Sequence, residues 1–396
     1  MSDSTRTGNE VSPSRRGVLG AVAVSAAAAA VPLLGETPAA EAAAKGPLEL
    51  LFISTWKGTQ IYGARFDPDR GNLTPIGPVG DATANWATMH PTRPVLYVGG
   101  GADGGTVYTF AVDRATGALT RTGAVNTDGG GTSGGGLSYL GVDKPSDTLL
   151  VANFEAGLAV ALPIEKDGSL GSPASVVQDT GSGPSPRQAG PHPHDMVIDP
   201  SGTYALVADF GADRVFAYPF DRATRALSPD GMTSYATDAG SGPRRLVFHP
   251  GGRTGYLLNE LTADLQTLDW DWREGRLTHR QSLSTDSAGY TGTRSAAELA
   301  LSEDGRFVYV SNRGENALVV YSVDPRTGLL TFVQRTSCAG QTPWSFSIHR
   351  SGRWLLVANE ASSTINLFSI DRRSGMLTDT GTSLPIPNPD CLTFCH

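Results

Sequence analysis

From Gly46 onward the apolar positions come in short, β-rich runs with no helical period of adequate length, and each run ends in a small, acidic or amide residue. The runs cover 51–55, 96–100, 149–153, 205–209, 256–259, 308–312 and 355–359, ending at Thr55, Gly100, Asn153, Asp209, Asn259, Asn312 and Asn359. Those end residues are 45, 53, 56, 50, 53 and 47 positions apart, which is the spacing of a repeated supersecondary unit. A second marker lies behind each run, an acidic residue followed five or six positions later by Leu. It begins at Asp67, Asp113, Glu165, Asp221, Asp271, Asp324 and Asp371, so both markers count seven units. Within one unit the pattern predicts strands at 195–198, 204–209 and 215–220 and a last one near Leu227, with a Pro-Ser-Gly turn after the first and the acidic turn before the last. A lone four-stranded sheet cannot bury both faces, whereas seven closed into a ring can. The predicted fold is therefore all-β, a seven-bladed β-propeller with four antiparallel strands per blade.

The ends of the repeat region predict how the ring closes. The first unit starts at its second strand, 50–55, while the last is followed by Pro389-Asp390-Cys391-Leu392-Thr393-Phe394, a match to Pro243-Arg244-Arg245-Leu246-Val247-Phe248 at the start of another unit. The C-terminal strand is expected to complete the first blade.

Composition narrows the class. A 39% hydrophobic chain with a net charge of −8 buries a core and is not disordered. Its basic charge is almost all Arg, with Lys only at 45, 57, 144 and 166, and forms no phosphate-tracking stripe, so a nucleic-acid partner is not expected. Before the repeats, Ser14-Arg15-Arg16-Gly17-Val18-Leu19 opens an Ala/Val/Leu run to Leu34. Pro32 and Gly35 end that run at about the ~17-residue minimum for a membrane span. Small residues then offer A-x-A cleavage sites ending at Ala42 or Ala44. Residues 1–44 are expected to be a twin-arginine signal peptide, removed on export, leaving 45–396 as the propeller. The expected partners are the twin-arginine translocase during export and a small-molecule ligand afterwards, for a secreted monomer without stable membrane insertion. Outside the cell Cys391 and Cys395 are permitted a disulfide, and Cys338 is expected to be an ordinary core or loop residue.

In an antiparallel blade, the start of the first strand and the end of the second lie on one face of the disk. Counting back fifteen residues from the end residues gives Asn85, Ser138, His194, Arg244, Ala297 and Trp344, with Asp390 at the matching place in the C-terminal strand. The second-strand ends add Asp209, Glu260, Arg313 and Glu360, and Arg294 precedes the inner strand of the sixth blade. This rim gathers a His, several Arg and several carboxylates, polar groups that blade packing does not need. His194 is the candidate general base, since imidazole titrates near neutrality, and its alternative is a loop histidine bonded to backbone. Arg244 and Arg294 fit a carboxylate or an oxyanion. Glu260 is assigned to orient His194, to act as a second acid/base, or to pair with Arg244 and join two blades. Asp209 and Asp213 are candidate ligand contacts whose alternative is capping inter-blade loops. No set of acidic side chains has metal-ligand spacing. The Gly-rich stretch 129–136 lacks a following helix and Lys-Ser/Thr, so it is a loop above the third blade and not a phosphate loop.

Gly190–Asp199 with Asp213-Arg214, Gly242-Pro243-Arg244-Arg245-Leu246-Val247-Phe248-His249-Pro250 followed by Asn259-Glu260-Leu261, and Arg294 before Ala296-Ala297-Glu298 resemble the lactonase family of seven-bladed propellers. That family includes bacterial 6-phosphogluconolactonase and fungal 3-carboxymuconate lactonising enzyme. The resemblance implies an active site at the channel mouth made of His194, Glu260, Arg244 and Arg294, with Arg313 beside them and neither metal nor cofactor required. Where the family has Pro-Arg-x-Phe in the seventh blade, this chain has Pro343-Trp344-Ser345-Phe346. An indole in place of a cation favours an apolar or sugar face over a phosphate. The expected function is a secreted lactone hydrolase acting on a lactone or sugar-acid ligand. The alternatives are a non-catalytic propeller that binds a sugar, peptide or metabolite at the same rim, and a muconate-type cycloisomerase.

Overall fold

The computed structural model describes residues 48–100, 105–127 and 136–395. The expected signal peptide and most of the Gly-rich loop lie outside the described residues. Seven antiparallel sheets follow one another around a ring, each with its strands in sequence order from the channel outward, except the first. In that blade the innermost strand is Pro389–Cys395, paired with Glu49–Thr55 in a register running from Leu50 opposite Cys395 to Ser54 opposite Cys391. The C-terminus closes the ring as expected. Cys391 and Cys395 sit on this one strand as free thiols, and Cys338 is a free, buried thiol in the core between the sixth and seventh blades.

Both sequence markers have a physical origin. Six of the seven acidic residues, all but Glu165, cap the turn between the third and fourth strands of their blades. Asp113, Asp221, Asp324 and Asp371 each accept a hydrogen bond from the backbone N–H two residues on, at 2.8–2.9 Å. The Leu that follows is buried against a neighbouring blade at Leu227, Leu277, Leu330 and Leu377. The amide that ends the second strand is fully buried at Asn153, Asn259, Asn312 and Asn359; its Nδ2 bonds to an inter-blade loop at Asn153, Asn312 and Asn359 and to Asp264 of the third strand at Asn259. Seven hydrophobic clusters, one between each pair of adjacent blades, make the core. The fourth blade departs from the expected pattern. The two-residue strand Ala226–Leu227 is followed by a break at 228–232, and Thr233–Ala236 then carries most of the outer edge.

At the centre Arg245, from the inner strand of the fifth blade, spans the channel. Its guanidinium is 3.0 Å from Asp195 of the fourth blade and bonds Glu298 of the sixth at 2.7 Å. It also lies over the rings of Trp86 of the second blade, 5.1 Å to centroid, and Tyr139 of the third, 4.6 Å. Burial raises the Asp195 pKa, and Arg245 opposes that rise.

Candidate active site

On one side of Arg245 the channel widens into a cavity of about 410 Å³ whose lining includes Asn85, Ser138, His194, Arg244, Glu260, Arg313 and Trp344. A β-bulge recurs where most of the inner strands begin. Pro193 pairs with Asp209 and Asp195 with Ala208, so His194 is the extra residue, and Arg244 and Trp344 occupy the same place in their blades. The bulge turns these side chains to the cavity end of the channel. For Arg244 the preceding Gly242 is essential. It has φ +64, and a Cβ there would sit 2.8 Å from the Phe210 ring and 3.0 Å from Leu261.

Glu260 anchors the cationic side of the cavity. Arg187 Nη1 donates to Oε1 at 2.7 Å, Arg313 Nη2 lies 2.9 Å from the same oxygen, and Arg244 Nε donates to Oε2 at 3.0 Å. Burial raises the Glu260 pKa, but Arg313, Arg244 and Arg187 outweigh it and hold the group down at about 2. A carboxylate ionised at every physiological pH and shared by three guanidiniums is an anchor. The second acid/base role expected for Glu260 is thereby corrected. Arg244 is 3% exposed and also donates through Nη1 to the Ala297 carbonyl of the next blade. Its desolvation and the nearby Arg313 lower its pKa to about 10, still charged at neutrality.

His194 lies edge-on to Phe154, whose ring stacks on His192 at 4.5 Å. Burial, then the charge of Arg244, pushes the His194 pKa well below its usual 6.5, so the imidazole is neutral at physiological pH. Two polar atoms of the lining residues are buried without a partner, His194 Nδ1 and Arg313 Nε.

Aromatic rings make the other wall. Trp344 has Arg313 over its ring at 4.6 Å and packs on Trp56 at 4.9 Å, and Trp86, Phe154 and His192 add further rings to the lining. Three assignments change. Arg294 is 54% exposed, pairs with Asp286 at 3.3 Å and is outside the cavity lining. Asp209 is also outside it. It pairs with Pro193 as Asn259 pairs with Pro243, so the rim position of its blade is one residue further, at Phe210. Its Oδ1 accepts from the backbone N–H groups of His192 and Ala212, at 2.8 and 2.7 Å. Asp213 is consumed in the same way by Gly240 N, Gly242 N and Gln188 Nε2. Both acids fasten inter-blade loops. The cation in place of Arg294 is Arg187, on a 3₁₀ turn, Pro186–Gln188, capped by Ser185, with its guanidinium over Phe210 at 4.6 Å. Among the described residues no three His, Cys, Asp or Glu gather where they could hold a metal.

The family model for seven-bladed β-propeller lactonases matches residues 51–394. The chain belongs to this family. Relatives include the 6-phosphogluconolactonase of Bacillus subtilis strain 168, 30% identical over 85% of this chain and 94% of the relative. That of Yersinia pestis strain Pestoides F is 30% identical over 76% and 85%. Among solved structures of the family, the periplasmic gluconolactonase of Pseudomonas aeruginosa superposes with a TM-score of 0.80 at 32% identity, covering 88% of this chain and 99% of that one.

Proposed function

We propose that this lactonase-family protein is an exported hydrolase that opens an unphosphorylated sugar lactone to its hydroxy acid without a metal. The observation that carries the reading is a neutral imidazole, its Nδ1 without a partner, lining the same cavity as a clamped arginine cluster. His194 takes a proton from water as the new C–O bond forms at the lactone carbonyl. The guanidinium hydrogens of Arg244 and Arg313 not given to Glu260 or to the backbone meet the developing oxyanion. Collapse breaks the ring C–O bond, the departing alkoxide takes the proton back from His194, and the carboxylic acid so formed releases its proton to solvent while the arginines hold the carboxylate. Glu260 acts indirectly, by fixing the guanidiniums. The names of the relatives support lactone chemistry, and they divide between phosphorylated and unphosphorylated substrates. Trp344 stands at the register position that carries Arg244 in the fifth blade, and an indole in place of that guanidinium favours the unphosphorylated class. Export is supported by the Arg15-Arg16 leader.

Purified protein would be given glucono-1,5-lactone and its 6-phosphate, with acid release read above the spontaneous rate. The expected result is a kcat/KM at least tenfold higher for the unphosphorylated lactone, unchanged by chelators, and a loss of about 10²-fold or more in His194→Ala. Preference for the phosphate ester, or an undiminished His194→Ala, would overturn the proposal. Replacing Arg15 and Arg16 by Lys should keep the protein inside the cell.

A further inference from the structure

The cavity holds more than one lactone ring. Its volume of about 410 Å³ falls among pockets that house drug-sized ligands, whereas a six-carbon lactone has only about a dozen non-hydrogen atoms. The chemistry is also divided. The groups that would act on the lactone, His194, Arg244, Arg313 and Arg187, belong to the fourth to sixth blades and the loop before the fourth. The indoles of Trp56, Trp86 and Trp344 come from the first, second and seventh. Trp56 and Trp344 pack at 4.9 Å with their planes 34° apart, and Lys57 Nζ is 5.8 Å from the Trp56 centroid. The mechanism uses none of the three.

We infer that the Trp56–Trp344 pair is a second subsite, and that it binds the glycosyl ring of a disaccharide aldonolactone whose lactone ring lies at His194. This rests on the hydrolase reading above and extends it to a substrate class. Two features favour a sugar over an aryl or alkyl group. A pyranose has apolar C–H faces that pack on indole and a girdle of hydroxyls that needs partners. The lining supplies both, since the polar side chains of Asn85 and Glu155 line the same cavity as the rings. Arg313 joins the two groups, lying over the Trp344 ring at 4.6 Å and 2.9 Å from Glu260 Oε1, so a glycosyl ring at the Trp pair would continue directly from a lactone held at the guanidiniums.

The test compares glucono-1,5-lactone with the β-1,4-linked disaccharide lactone cellobiono-1,5-lactone, each against a phenyl-substituted δ-valerolactone. The wild type is expected to favour the disaccharide lactone over the monosaccharide at least tenfold in kcat/KM. Trp56→Ala and Trp344→Ala should each reduce that ratio at least fivefold, with Trp56→Phe intermediate. A ratio below two, a ratio that neither variant moves, or a preference for the phenyl lactone would overturn the subsite. Tryptophan fluorescence titrations with the product acids, gluconate and cellobionate, separate this failure from failure of the hydrolase reading. If no lactone is turned over, cellobionate binding at least tenfold tighter than gluconate, and weakened in Trp56→Phe, still supports the subsite. Equal binding of the two acids rejects it.

Discussion

Replacing Glu260 with Gln removes the carboxylate that Arg187, Arg244 and Arg313 share while preserving its shape. Arg187 is more than half exposed, so its pair contributes no more than about 1 kcal/mol. Arg244 and Arg313 are 3% and 10% exposed at the side chain, and losing the partner of a buried cation costs about 3–5 kcal/mol. Unfolding entropy is about 2.1 cal/mol/K per residue, which gives the region from Gly46 to His396 about 0.7 kcal/mol/K. The melting temperature of Glu260→Gln should therefore fall by about 4–7 °C in differential scanning calorimetry. Adding Arg244→Met removes one of the stranded charges, and the double variant should regain at least half of the loss. An anchoring carboxylate requires both results. A Glu260→Gln protein that melts within 1 °C of wild type, or a double variant whose losses simply add, would refute the reasoning.

Three further outcomes follow from the geometry. With the His194 pKa lowered by burial and by Arg244, kcat/KM should stay flat as pH falls through 6.5 and decline only below it. Arg244→Met removes a repelling cation and should move that acid limb upward, and a downward move would contradict the assignment. Arg294→Ala should leave kcat/KM within twofold of wild type, whereas Arg187→Ala should raise KM at least fivefold; steady-state kinetics showing the reverse order would restore Arg294 to the site. Phe394, packed on Phe66 at 5.6 Å and on His349 at 5.1 Å, fastens the closing strand. Phe394→Ala should cost about 3–5 kcal/mol, and an unshifted melting curve would show that closure does not depend on it.

The ring and its closure were legible because blade packing forces similar residue types into successive repeats, among them a buried amide in four and a turn-capping acid in most. Position counting also found Asn85, Ser138, His194, Arg244 and Trp344, since a rim is a register property. It failed where register ceased to govern. Arg187 rides on a short turn in an inter-blade loop with no counterpart in other units, and Arg294 lies in a loop whose course the repeat does not fix. Asp209 was misread by one residue. It aligns with the buried amides, and of the residues next along Trp56, Phe154, Glu260 and Arg313 line the cavity. That series was present in the sequence, and it would have added Trp56 and Phe154.

Arg245 alters what kind of object this ring is. Blades that touch only their neighbours behave as links in a chain, able to fray one at a time from any weak joint. A single guanidinium reaching four other blades works instead as the hub of a wheel, so that loosening one spoke is felt on the far side. Denaturation should accordingly be a single concerted event, and Arg245→Met should broaden it into successive steps.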